Sequence, residues 1–208
     1  QAQDVALTAL RSVAEELGTA ALGRVRHRLV VTHSVTAEDR AFLAAAGVSA
    51  TVVPDADGVL HAPVASLLAD AVSVCLGAGP AGDPWAAVRS ALSHPDPDER
   101  ISARSAFAAA TRTPLRALPD APAARLSVAP RLSVSAPAVF GVWDADAVAV
   151  QSPDGRVAAW STDTRAGTPL LPALDAETAL PRWRATWVDG RIAAEDVARD
   201  DHDAATPA

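Results

Sequence analysis

The chain has 208 residues and a formal net charge of −7, and half of its residues are hydrophobic. This length allows one large domain or two small ones, with a core that needs no disulfide or metal for support. The composition is that of a folded protein, and the acidic balance argues against a nucleic-acid-binding surface, which needs clustered positive charge. No apolar run reaches the roughly 18 residues that span a bilayer, so no transmembrane helix is predicted.

The residue types that the chain lacks exclude further kinds of catalytic and metal-binding site. The chain has no Met, Lys, Asn or Tyr, so all 18 positive charges are arginines and no lysine can form a Schiff base or a carbamylated metal bridge. Cys75, the single cysteine, lies in an apolar run and is predicted to be a small core residue. The amino-terminal residues show no secretory signal, so we expect a cytoplasmic protein. Because Gln1 opens the chain without an initiator Met, we expect a fragment or a processed piece.

Residues 1–117 alternate predicted helices and strands at the rhythm of βα units. Gly18 and Gly47 mark predicted helix ends, Thr36 is a predicted N-cap, and Asp83 is predicted to cap the helix that begins at Pro84. This order predicts an α/β protein with a parallel sheet or part of a barrel. Strands are expected at Arg28–Thr32, Val48–Val53 and Val72–Leu76, and helices over Asp4–Leu17, from Thr36 to Ala46, and over Val64–Asp70, Pro84–Leu92 and Ser102–Thr111.

The pattern changes after Leu118, where a segment rich in Pro, Ala and Ser is followed by short β candidates. Asp189-Gly190 is a two-residue hairpin signal, and Asp154-Gly155 predicts another turn. Residues 118–197 are therefore predicted to be β-rich, and residues 198–208 to form an acidic tail. The predicted strands are Val139–Trp143, Ala147–Gln151, Trp183–Val188 and Arg191–Ala193.

Several separated segments resemble, in the same order, the C-terminal half of amidohydrolase family 3 proteins, the relatives of N-substituted formamide deformylase. The resemblance covers nearly the whole chain, up to about Glu195, and it is the reason for assigning residues 1–117 to the end of a barrel. The similar segments are Asp83–Leu92 (DPWAAVRSAL), Arg100–Phe107 (RISARSAF), Ser135–Asp144 (SAPAVFGVWD), Arg156–Asp163 (RVAAWSTD) and Arg165–Gly167 (RAG).

The resemblance implies a TIM-like barrel with a small β-sandwich, of which this chain would supply strands 6–8 with their helices and a sandwich segment. It also implies a metal-dependent hydrolase of carbon–nitrogen bonds other than peptide bonds, with a divalent metal such as zinc. In the family the ligands are a His-x-His pair on strand 1, an acid or lysine on strand 4, histidines on strands 5 and 6, and an aspartate on strand 8. The metal lowers the pKa of its bound water, and the aspartate accepts the proton.

This chain departs from that ligand set. An ungapped alignment of His27–Val31 with the family's strand 6 puts Val31 at the histidine ligand, and Gly79 stands at the aspartate of strand 8. Strands 1–5 have no counterpart, and the loop from Pro54 to Val64 looks short. His33 is the single candidate ligand, although one imidazole does not make a metal site. The alternative is a strand-end histidine hydrogen-bonded to a loop.

No other residue pattern points to chemistry. His61 and His94 lie in polar, Pro-containing loops and are predicted to be surface residues, and Gly77-Ala78-Gly79 is predicted to be a plain turn. No Gly-x-Ser-x-Gly or His-Glu-x-x-His motif occurs. The tryptophans could form a ligand platform, but most are predicted to be packing anchors between the half-barrel and the β segment. The five are Trp85, Trp143, Trp160, Trp183 and Trp187.

Two functional hypotheses follow. In the first, the chain is part of an amidohydrolase and is active only if another segment supplies the metal centre. In the second, it is a non-catalytic structural or interaction module that kept the scaffold. We predict no catalytic, cofactor-binding or metal-binding residue within this chain, with His33 as the one candidate ligand. Its expected partners are an N-terminal half of the same barrel or a second copy, and neither nucleic acid nor a membrane.

Overall fold

A computed structural model describes residues 2–119, 134–151, 160–161 and 170–196. The chain is a mixed α/β protein that divides into two compact units. The first is built from residues 2–119 together with Gln151, and the second from residues 134–150, 160–161 and 170–196. The predicted Asp154-Gly155 turn, the acidic tail, and most of the two segments between Arg156 and Gly167 lie outside the described residues.

The first unit contains all of the described helices. These are α1 (Ala2–Leu17), α2 (Thr19–Val25), α3 (Ala37–Ala45), α4 (Val64–Ala69), α5 (Pro84–Leu92), the 3₁₀ turn η1 (Pro97–Glu99), α6 (Ala103–Thr111) and α7 (Thr113–Arg116).

Local signals set most of these helix ends. Thr36 Oγ1 accepts the backbone N–H of Asp39 at 3.1 Å, and Asp83 Oδ1 accepts that of Trp85 at 2.8 Å, so both predicted N-caps are confirmed. Gly18 and Gly47 have positive φ, as expected of residues just past a helix. The chain re-enters a helix directly after Gly18, so α2 was missed, since its seven residues are too few to show a helical period.

Three strands form the parallel sheet of this unit, β1 (Arg28–Val31), β2 (Ser49–Val52) and β3 (Val74–Leu76), in the order β1-β2-β3. Because parallel crossovers are right-handed, α3 and α4 cover the same face, and their Leu43 and Leu67 are fully buried. The strand residues of that face are also buried. They are Leu29 and Val31 of β1, Ala50 and Val52 of β2, and Val74 and Leu76 of β3.

The second unit is made of strands. Its antiparallel sheet has the order β4-β8-β9, from β4 (Phe140–Asp144), β8 (Arg182–Val188) and β9 (Arg191–Glu195). A second small sheet has the order β6-β5-β7, from β5 (Val148–Gln151), β6 (Trp160–Ser161) and β7 (Leu171–Pro172).

The predicted hairpin at Asp189-Gly190 is confirmed. Both residues have positive φ, 50° and 76°, as a type I′ turn requires, and the turn joins β8 to β9. The register shifts once between β8 and β9 and once between β4 and β8, so each ladder contains a bulge.

The described strands form three separate three-stranded sheets, and no closed barrel is present among them. In the described parts of the chain, no helix combines the length and the apolar character needed to cross a bilayer.

Candidate functional site at the carboxyl end of the parallel sheet

The carboxyl ends of β1, β2 and β3 meet at one edge of the sheet, where α/β proteins bind ligands. Val31, the position that aligns with a family histidine ligand, is the last residue of β1 and is fully buried. It shares its face with Leu29, on the side covered by helices. A side chain at position 31 therefore points into the apolar core and not toward the open edge.

His33 lies two residues beyond β1, and its side chain is 44% exposed. Its Nε2 is 3.5 Å from Asp4 Oδ1, and its Nδ1 is 3.2 Å from Thr32 Oγ1. Both ring nitrogens thus have a polar neighbour, one on α1 and one next to it in sequence. This arrangement matches the alternative reading of a hydrogen-bonded strand-end histidine, with α1 as the partner in addition to a loop residue.

Gln3 holds the chain that leaves β1. Its Oε1 accepts the backbone N–H of Thr32 at 2.9 Å and that of His33 at 3.4 Å, and its Nε2 donates to Ser34 O at 3.3 Å. The residue is only 5% exposed. Sequence reasoning missed this role, although Gln3 sits one turn before Leu7 on the apolar face of α1, and that spacing was a signal for a buried amide.

Gly79 follows β3 with φ +68°, a conformation that L side chains rarely adopt. A Cβ at this position would lie 3.0 Å from the carbonyl oxygen of Pro54, the residue that follows β2 by two positions. Gly77 is also crowded, because a Cβ there would lie 2.7 Å from Val53 Cγ1. The predicted plain turn therefore brings the ends of β2 and β3 into close contact, and it leaves little room for an aspartate at position 79.

A second carboxylate–imidazole pair lies in the loop after β2. Asp55 Oδ2 is 2.9 Å from His61 Nε2, while Asp55 Oδ1 accepts the backbone N–H groups of Asp57 and Val59, both at 2.9 Å. The N–H of Val59, followed by His61 and Asp57, lowers the pKa of the Asp55 carboxyl. His61 is 54% exposed, which confirms it as a surface residue, and its contacts close the loop.

The prediction for His94 is wrong, since this residue is only 5% exposed. The loop folds inward because Glu99 accepts the N–H and hydroxyl of Ser66 near the start of α4, and because Arg100 Nε donates to His94 O at 2.9 Å. His94 Nδ1 accepts the N–H of Asp96 at 3.1 Å, while its Nε2 has no hydrogen-bond partner among the described residues.

Three of the tryptophans make contacts within their own units. Trp85 stacks on Phe107 with ring centroids 5.7 Å apart, which joins α5 to α6. In the second unit Trp187 stacks on Phe140 at 5.8 Å, across β8 and β4. Trp183 donates its indole N–H to Thr186 at 3.0 Å. These contacts are those of packing residues.

The residues present do not fit the metal that the resemblance implies. Among the described residues, no group of three or more His, Cys, Asp or Glu side chains converges on one point. Val31 is in the core, Gly79 has no donor atom, and His33 is engaged with Asp4 and Thr32. Comparison with protein-family models, with curated proteins and with solved structures found no significant match.

Proposed function

We propose that this chain is an amidohydrolase-like scaffold, equivalent to strands 6–8 of a barrel with their helices and a sandwich segment, which does not itself hydrolyse carbon–nitrogen bonds. The observation that carries the proposal is the geometry of Gly79. Where the family has its proton-accepting aspartate, this chain has positive φ and a space closed by the Pro54 carbonyl.

The two other candidate positions support the same view. A histidine at position 31 would have to enter the core beside Leu29. His33 could bind a metal only by giving up its contact with Asp4 or with Thr32. Catalytic zinc sites use about three protein ligands and one open position for water, so one imidazole provides too little binding energy.

Metal content tests this proposal directly. After dialysis against metal-free buffer and then addition of zinc, we expect well below one bound zinc per chain by elemental analysis. His33→Ala should leave that value unchanged, and His61→Ala is the matched control, since both histidines are exposed and both contact an aspartate. Stoichiometric zinc that is lost in His33→Ala and kept in His61→Ala would refute the proposal.

Restoring the two family residues tests it further. The double variant Val31→His/Gly79→Asp supplies one imidazole and one carboxylate, fewer than a zinc hydrolase requires. We expect no zinc-dependent turnover of N-formyl or N-acyl amines above that of the unmodified chain. Turnover that depends on zinc and on both substitutions would show that this part of the barrel can form a working site.

A second candidate function, that of an interaction module, is favoured by the exposed edge of the parallel sheet at β1. β1 and β3 are edge strands among the described residues, and parallel sheets are normally covered on both faces. On the face opposite to α3 and α4, Ser49 of β2 and Cys75 of β3 are buried, whereas Val30 of the edge strand β1 is 52% exposed. We infer that a second polypeptide pairs with β1 and covers the exposed part of this face, either an N-terminal half-barrel or a second copy.

Light scattering after size-exclusion chromatography distinguishes pairing of two copies from a chain that stays monomeric. Self-association that is weakened by Val30→Arg, and not by Val139→Arg at a similarly exposed position, would support pairing of two copies through this face. A monomer that melts cooperatively and does not bind a hydrophobic dye would contradict the interaction role.

A further inference from the structure

Five of the 18 arginines belong to two segments, residues 24–28 and residues 112–116, in a chain whose net charge is −7. We call this group the arginine cluster. Two members belong to β1 and the residues just before it, one to the last turn of α2, and two to α7 and its N-cap. They are Arg24, Arg26, Arg28, Arg112 and Arg116.

Hydrogen bonds between distant parts of the chain hold the cluster together. Arg26 Nη1 donates to Arg116 O at 2.9 Å and to Leu118 O at 3.3 Å, and Arg28 Nη2 donates to Pro114 O at 3.0 Å. These bonds place the start of β1 against the end of α7, although about 90 residues separate them in sequence. The guanidinium groups of Arg26 and Arg28 therefore donate to backbone carbonyls of the segment that carries Arg112 and Arg116.

Arg26 also has an unusual backbone. It is the C-cap of α2 and has φ 55° and ψ 58°, the left-handed conformation that costs a non-glycine residue about 1–2 kcal/mol. Such conformations persist where surrounding contacts enforce them, and they concentrate at functional sites. Here the enforcing contacts are those of its guanidinium with the end of α7.

The other three arginines of the cluster face solvent. Arg24, Arg112 and Arg116 are exposed, and none of them forms an ion pair with a carboxylate among the described residues. In contrast, Arg11 and Arg40 are paired with Asp39 and Asp70 at 2.7 and 2.6 Å. Along the chain, the acidic residue nearest to Arg116 is Asp120, four positions later, and the one nearest to Arg24 is Glu16 at the end of α1.

We propose that the arginine cluster binds a small, multiply charged phosphate ligand, such as an oligophosphate chain or the phosphates of a nucleotide. Guanidinium groups bind phosphate oxygens in a bidentate manner, and several of them together favour a ligand with more than one negative charge. The patch is small and the rest of the chain is acidic, so a long nucleic acid would meet repulsion beyond the cluster. This inference is independent of the proposed scaffold function.

Titration calorimetry of the full chain with inorganic tripolyphosphate tests the proposal. We expect saturable binding that weakens as salt is added, because exposed charges are screened. Arg112→Gln/Arg116→Gln should weaken binding at least about tenfold, since each charge-assisted contact contributes about one factor of ten or more. Arg182→Gln/Arg191→Gln is the matched control, because it removes two exposed positive charges from the second unit, and it should leave the affinity within about twofold.

A further variant distinguishes a loss of binding from a loss of folding. Arg24→Gln changes a different element, α2, and should weaken binding while the helical circular dichroism spectrum is unchanged. Equal losses in the cluster variant and the control, or no saturable binding by the unmodified chain, would overturn the proposal. So would an acidic peptide of equal charge that binds as tightly as tripolyphosphate. Titration with a nucleoside triphosphate then shows whether a base adds affinity to the phosphate chain.

Discussion

The turn after β3 allows a quantitative prediction of stability. Three of its glycines differ in whether an added Cβ would meet backbone strain, crowding or both. Gly82 has φ +69° and open space where a Cβ would lie, so Gly82→Ala measures the strain alone. Gly77 lacks positive φ, but a Cβ there would lie 2.7 Å from Val53 Cγ1, so Gly77→Ala measures crowding alone. Gly79→Ala combines φ +68° with a Cβ 3.0 Å from Pro54 O and 3.3 Å from Pro54 Cδ.

The expected magnitudes follow from these contacts. Placing an alanine in the left-handed region costs about 1–2 kcal/mol, which is the full effect expected for Gly82→Ala. Overpacking costs about 1–3 kcal/mol, and it adds to the strain at Gly79 because a carbonyl and a proline ring yield less readily than a flexible side chain. We therefore expect Gly79→Ala to lower the free energy of unfolding by about 2–5 kcal/mol.

Denaturant unfolding monitored at the helical circular dichroism band is the appropriate assay, because all of the described helices belong to the first unit. The order of stability should be unmodified chain, then Gly82→Ala, then Gly79→Ala. If Gly79→Ala is no less stable than Gly82→Ala, the Pro54 carbonyl does not close the space at position 79. The structural objection to an aspartate there would then fail.

Three further predictions concern local chemistry. The hydroxyl of Thr36, followed by Arg11, lowers the pKa of Asp39 below its ordinary 3.8. The stabilisation is therefore present above the unfolded pKa and lost as pH falls through the folded one, and Asp39→Asn should flatten the pH dependence of unfolding below about pH 5. Burial raises the pKa of the Cys75 thiol, so a thiol reagent should modify it only after unfolding. Leu67→Ala, at a fully buried position of α4, should cost about 2–5 kcal/mol in denaturant unfolding, whereas Leu68→Ala, at a 38% exposed position, should cost less.

Much of the first unit could be predicted from the sequence, because its signals are local. Hydrophobic periodicity identified α1, an N-cap residue identified α3, and a capping aspartate followed by proline identified α5. The three buried strands were found as short apolar runs, and their parallel pairing followed from the alternation with helices. The Asp189-Gly190 turn was predictable because a type I′ turn depends on its own two residues.

The resemblance to amidohydrolases remains a prediction. Under it, positions 31 and 79 align with metal ligands of the family, and His33 is the candidate ligand. The sequence alone already showed that Val31 and Gly79 lack ligand atoms. That Val31 faces the helix-covered core, and that Pro54 approaches Gly79, depends on how three strands align side by side. Sequence patterns describe neighbours along the chain, whereas these contacts join segments that are distant in sequence.

The same reason explains what only the tertiary structure decided. His94 was assigned to the surface from its polar loop, and Glu99 binding to Ser66, across 33 residues, accompanies its burial. The role of the buried Gln3 amide depends on the tertiary contact between α1 and the end of β1, where the amide binds the backbone of Thr32. The arginine cluster is invisible along the chain, because α7 lies about 90 residues from Arg26. Local sequence determines which element forms, and packing determines which polar groups meet.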